Sequence, residues 1–152
     1  MKVSITKKEY RLLLDVLSMA DWVMNAFNDD ERPEVEPYVK LEQKLLSLAK
    51  DFDCEDLVTY DKGLKRYFPT RRYEEQGRDM GFIEEFEEEF FWDELEQRLA
   101  ERDLVKNRGM EAVAEMEPPQ RITELDRLAD GYREEFSKHG LERLVISKAN
   151  GR

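Results

Sequence analysis

The chain has 152 residues, enough for one domain that buries its own core, with 40% apolar, 11% aromatic and 40% charged residues and a formal net charge of −11. That composition excludes a disordered acidic tail, which would be poor in aromatics. The single cysteine, Cys54, excludes an intramolecular disulfide and a zinc cage. The first apolar run is interrupted by Asp15, Asp21 and Asn25, so neither a cleaved leader nor a membrane span is expected. The expectation is a reduced, cytoplasmic protein, with residues 1–152 forming a mainly α, single compact domain of five or six helices.

Val3 and Ile5 alternate as a short strand would. Thr6 followed by Glu9 has the spacing of a capping box, and Ile5 with Tyr10 fills the two positions of a hydrophobic staple. A helix therefore begins at Thr6–Lys7 and runs to about Phe27. Leu13, Leu14, Leu17, Ala20, Met24 and Phe27 share one face. Leu12, Val16, Met19 and Val23 cover much of the rest, which predicts a central helix touched from several sides. The polar stripe that remains holds Lys8, Arg11, Asp15, Ser18 and Asn25.

Residues 28–36 read as an acidic linker, with five acids against Arg32. Pro37 suits the first turn of a second helix, whose apolar stripe is Tyr38, Leu41, Leu45, Leu48 and Phe52. Leu57, Val58 and Tyr60 fit a short helix or a strand. Residues 61–81 read as an irregular basic and aromatic connection. Within it, 62–78 carries six bases and two acids, interleaved with Tyr67, Phe68 and Tyr73.

The next helix is predicted from about Phe82, and residues 84–96 hold eight acids and no base. At about 100° per residue, Phe82, Ile83, Phe86 and Phe90 share one face, while Phe91, Trp92, Leu95 and Leu99 share the opposite one. No Pro or Gly lies between the two patterns to kink the chain. The pattern predicts a continuous helix with different neighbours on its two halves, a second copy of the chain being one such neighbour. Gly109 reads as a helix end, and Met110, Val113 and Ala114 as one or two further turns. Pro118–Pro119 precede a last helix with Thr123 as N-cap, an apolar face of Leu125, Leu128, Ala129, Tyr132 and Phe136, and Gly140 as C-cap. Leu144, Val145 and Ile146 are candidates to pair with Val3–Ile5 in a small two-stranded sheet joining the termini.

No phosphate-loop, zinc-protease or nucleophile-elbow motif occurs. His139, the lone histidine, sits where an imidazolium complements a helix C-terminus; a general base or a metal pair with Glu135 are the sharper alternatives. Cys54 lies among Asp53, Glu55 and Asp56, which disfavour a thiolate nucleophile. Asp21 falls on the apolar face of its helix and needs a hydrogen bond or an ion pair there, a base from 62–78 being one candidate partner. No metal site and no cofactor are expected.

The leading expectation is a non-catalytic protein–protein interaction module, self-associating or docking another protein. Its contact residues would be Glu84, Glu87, Glu88, Glu89, Phe91 and Trp92. The alternative is a small enzyme whose cleft gathers Asp21, Tyr60 and the basic 60–78 segment, with His139 as a further catalytic candidate. A nucleic-acid role would use the patch Lys62, Lys65, Arg66, Arg71 and Arg72, or the acidic helix as a mimic; the net charge of −11 argues against it. The same bases would otherwise neutralise the acidic helix.

Overall fold

In the computed structural model, residues 3–26 and 32–145 are described. Thr6 caps helix α1 (Lys7–Asn25) with the full box: its hydroxyl accepts from the Glu9 N–H at 3.3 Å, and the Glu9 carboxylate accepts from the Thr6 N–H at 2.7 Å. The Thr6 N–H, then the Thr6 hydroxyl, which donates to the same carboxylate at 2.7 Å, hold the Glu9 carboxyl below its usual range. Thr6→Ala is expected to lower the unfolding free energy by about 1 kcal/mol, read from denaturant titration, because the Glu9 N–H loses its acceptor and the Glu9 carboxylate loses the hydroxyl donor.

Helix α2 (Glu36–Leu46) carries Pro37 in its first turn, as its sequence implies. It ends earlier than the apolar stripe suggests, at Ser47, and a short 3-10 turn follows (Ala49–Phe52). Of that stripe Tyr38 and Leu41 are exposed, whereas Leu46, off it, is buried. The stretch 61–81 is more regular than its composition implies. Strands β1 (Val58–Asp61) and β2 (Arg66–Pro69) form an antiparallel hairpin, with Thr59 opposite Phe68 and Tyr60 opposite Tyr67. The Asp61 carboxylate closes the turn by accepting from the Gly63 and Leu64 N–H groups at 2.7 and 2.8 Å. Gln43 of α2 supplies the missing strand partner: its amide donates to the Tyr67 carbonyl at 3.0 Å and accepts from the Tyr67 N–H at 2.7 Å. Thr70 then caps the short helix α3 (Arg71–Gln76).

Helix α4 (Asp79–Arg108) is continuous for 30 residues, as the absence of Pro and Gly in its middle implies, and begins three residues before the expected Phe82. Gly109, with φ of +85°, ends it, and α5 (Met110–Ala114) follows. Helix α6 (Pro118–His139) contains both prolines in its first turn, where no N–H is needed. Thr123 is therefore an interior residue and not the cap; its hydroxyl donates to the Pro119 carbonyl at 2.9 Å. Gly140 ends α6 with φ of +54°.

Among the described residues the fold is thus mainly α, with six α-helices and one two-stranded sheet. The sheet is the β1–β2 hairpin and does not join the termini. Val3–Ile5, Leu144 and Val145 are not in strands, and Ile146 lies outside the described residues, as do Phe27 and residues 28–31 of the acidic linker.

The chain divides into two compact units, Met1–Glu85 and Phe86–Arg152. In the first, the core is Tyr10, Leu14, Leu46, Ala49, Cys54, Leu57, Val58 and Tyr73. Tyr10 is fully buried, its ring stacked on Phe52 at 4.4 Å, and its hydroxyl donates to the Leu45 carbonyl at 2.8 Å. Tyr10 is thus fixed by α2 and the 3-10 turn, whereas Ile5, its expected staple partner, lies at the surface. Helix α1 is not enclosed on all sides, since Leu12, Val16 and Val23 are exposed. In the second unit α4 and α6 run antiparallel: Trp92 meets Phe136, Glu96 meets Arg133, Asp103 meets Tyr132 and Arg108 meets Glu124.

Candidate functional site

The polar stripe of α1 is a seam. Arg11 donates to the Gln76 side chain at 3.1 Å, Asp15 accepts from the Tyr73 hydroxyl at 3.1 Å, and Ser18 donates to Asp79 at 2.6 Å. Each contact reaches 58 to 65 residues along the chain, so the stripe docks α1 onto α3 and the first residue of α4. Gly77 is the close approach: an added Cβ would lie 2.4 Å from an Asp79 carboxylate oxygen and 3.1 Å from the Tyr73 carbonyl. Burial, then the charges of Asp79 and Asp15, pushes the Tyr73 hydroxyl well above the usual tyrosine range. Beside the seam opens a cavity of about 470 Å³, lined by Lys8, Arg11, Leu12, Asp15, Leu57, Tyr73, Gln76, Gly77 and Arg78.

Asp21 does not meet a base. It accepts from the Asn25 side chain at 2.7 Å, one turn along its own helix, and it is half-buried. Its cavity, about 180 Å³, is lined by α1 and α2 residues including Leu17, Met24, Tyr38 and Glu42. Neither Tyr60 nor any base of 62–78 lines it, so the groups of the expected enzyme cleft are not gathered there. The carboxyl raised above its ordinary range is that of Glu42, by burial first and the Asp21 charge second.

The basic patch is split. Arg71 pairs with Glu75 at 3.0 Å and Arg72 with Asp56 at 3.0 Å, so neither neutralises the acidic helix. Lys62, Lys65 and Arg66 stay on the hairpin without ion pairs among the described residues, around an exposed Leu64. Tyr60 is spent on Tyr67, the ring centroids 4.8 Å apart.

Cys54 is buried and its thiol donates to the Phe52 carbonyl at 3.4 Å; burial pushes its pKa up, which keeps it protonated. His139 occupies the last turn of α6 beside Lys138, and its proposed metal partner Glu135 is engaged by Arg143 at 3.2 Å. Among the described residues no group of three or more His, Cys, Asp or Glu is placed to hold a metal ion, and no helix is long and apolar enough to cross a membrane.

Along α4 the two halves differ. Phe82, Phe86 and Phe90 are 55%, 57% and 52% exposed, with Phe86 and Phe90 stacked at 5.5 Å. Only Ile83 of that apolar face is buried. By the helical angle of about 100° per residue, Glu85 and Glu89 flank this ladder on one side and Glu87 on the other. Among the described residues none of Glu84, Glu85, Glu87 and Glu89 has an ion-pair partner.

Further along α4 the covered stripe is Trp92, Glu96, Ala100 and Leu104, the last three almost fully buried. Trp92 packs on Phe136 at 5.6 Å and its indole N–H donates to Glu88 at 2.7 Å. Trp92 and Glu88, expected to meet a partner, are therefore engaged within the chain, and Phe91 lies edge-on to Trp92. Sequence reading missed Phe82, Phe86 and Phe90 as the open face because it assumed that both patterns find cover.

Comparison with protein-family models, with curated proteins and with solved structures finds no match to this chain in any of the three.

Proposed function

We propose that the protein is a non-catalytic docking module whose contact surface is the N-terminal half of α4. It takes a basic, amphipathic segment of another protein. The observation that carries this reading is the uncovered ladder Phe82, Phe86 and Phe90, three aromatics one helical turn apart, each more than half exposed. Covering them removes about 300 Å² of apolar surface from water, roughly 7 kcal/mol before the cost of association. The unpaired carboxylates on both flanks select the occupant. A second copy would bring the same carboxylates and repel, whereas lysines and arginines flanking an apolar stripe would complement them.

The test uses a synthetic helix with Leu at every fourth position between Lys and Arg, titrated calorimetrically into the whole chain. Binding is expected to weaken with salt. Phe86→Ser is expected to cost about tenfold or more in affinity, and Glu87→Lys with Glu89→Lys to abolish the salt dependence. Unchanged affinity in a Phe86→Ser, Phe90→Ser double variant would remove the surface from consideration. Sedimentation of the chain alone separates the other outcome, self-association through the same ladder.

A further inference from the structure

We propose that the cavity between α1 and α3 is a second, independent site, one that binds the phosphate of a small phosphate monoester whose body carries a hydroxyl or amino donor. Three observations converge on it. Lys8 and Arg11 come from successive turns of α1 and Arg78 from the segment before α4, so three bases from two separate parts of the chain line one concavity. None of the three is in an ion pair among the described residues, although the protein carries 36 acids against 25 Lys and Arg. With Asp15 as the one acid in the lining, the cleft has a formal surplus of two positive charges in a chain of net −11.

That surplus matches a phosphate monoester, which carries about −1.5 to −2 near neutral pH and offers three acceptor oxygens. A carboxylate, with a single negative charge, would leave half of that surplus unneutralised. The volume, about 470 Å³, is that of a small-molecule site and not of a flat macromolecular footprint. Leu12, Leu57 and Tyr73 supply apolar wall. Asp15 sets the second half of the ligand. One of its oxygens is committed to the Tyr73 hydroxyl, and the other faces no donor among the described residues. An acidic oxygen in a basic cleft repels phosphate, so it is useful only to a ligand that also brings a hydrogen-bond donor.

The experiment is a titration of the whole ¹⁵N-labelled chain with inorganic phosphate, glycerol 3-phosphate and acetate at matched ionic strength. Saturable amide shifts are expected at residues 8–15 and 76–79, tightest for glycerol 3-phosphate and weakest for acetate. Arg11→Ala and Arg78→Ala should each weaken glycerol 3-phosphate binding about tenfold. Both residues are exposed, and an unchanged melting temperature confirms that each variant is folded. Asp15→Ala gives an opposite sign for the two phosphates: it should tighten inorganic phosphate and remove the advantage of glycerol 3-phosphate over it. The proposal is overturned by any of three results. One is shifts that do not saturate; another is shifts of equal size at the hairpin bases Lys62, Lys65 and Arg66; the third is Arg11→Ala and Arg78→Ala variants that bind as the parent does.

Discussion

Tyr10→Ala is expected to cost about 3–5 kcal/mol of stability, the range for deleting a large buried aromatic. Tyr10 is fully buried, and its ring is the plate on which Phe52 stacks at 4.4 Å. Its hydroxyl also donates to the Leu45 carbonyl near the end of α2 at 2.8 Å, beside the Leu48 N–H that donates to the same oxygen at 3.1 Å. The two contributions separate with Tyr10→Phe, which keeps the stack and loses only the hydrogen bond, a change of about 1 kcal/mol.

The same residue gives a pH signature. Burial, followed by the Cys54 and Asp51 charges, pushes the Tyr10 hydroxyl up to about 12 from an ordinary 10.0. A raised tyrosine pKa means that the folded state favours the neutral phenol. Its stabilisation is complete below pH 10 and is lost as pH rises toward about 12. Tyr73 is shifted in the same direction by burial and two carboxylates. Burial, then its hydrogen bond to Asp103, raises Tyr132 as well, so ultraviolet titration of the six tyrosines should show three that ionise late, together with loss of helical circular dichroism. Early, uncoupled ionisation of all six would contradict the packing of these residues.

What could be read from the sequence was local. The Thr6–Glu9 box, Pro37 in a first turn, and Gly109 and Gly140 as helix ends are each decided within four residues of chain. What could not be read depends on distant partners. The β2 strand is completed by Gln43, 24 residues away, and no short pattern announces that a side-chain amide will act as a strand edge. Lys8, Arg11, Asp15 and Ser18 have the spacing of a solvated stripe. Their partners Gln76, Tyr73 and Asp79 turn it into a seam and create the basic cleft beside it. The place of Asp21 on an apolar face implies a hydrogen bond or an ion pair, and it is the hydrogen bond that forms, from Asn25 four residues along the same helix and not from a distant base. Helix α4 shows the limit of counting apolar residues. Its covered stripe contains a glutamate and an alanine, while its three in-line phenylalanines are left uncovered.

That glutamate carries the second large effect. Glu96 is 5% exposed in the helical pair of the second unit, and its partner across the pair is Arg133, at 3.2 Å. Arg133→Ala strands a carboxylate on a covered helix face. Breaking a buried ion pair from one side costs about 3–5 kcal/mol, and because the Arg133 side chain is about half exposed the expected loss here is about 2–3 kcal/mol. Glu96→Leu has the opposite expectation. It removes the charge that needs a partner and continues the apolar stripe from Trp92 to Ala100, so stability should be unchanged or higher. The double variant Glu96→Leu, Arg133→Ala should then recover most of what Arg133→Ala loses. Trp92, packed near this contact against Phe136, reports it directly, and a Trp22→Phe background leaves Trp92 as the one indole of the chain. If the fluorescence midpoint of Arg133→Ala matches the parent, the Glu96–Arg133 pair does not hold the helices together. Their stability would then rest on Trp92, Ala100, Leu104, Ala129 and Phe136 alone. If the double variant is instead as unstable as Arg133→Ala, the guanidinium matters for its packing stem and its bond to Asp130 at 2.6 Å, not for the charge it brings to Glu96.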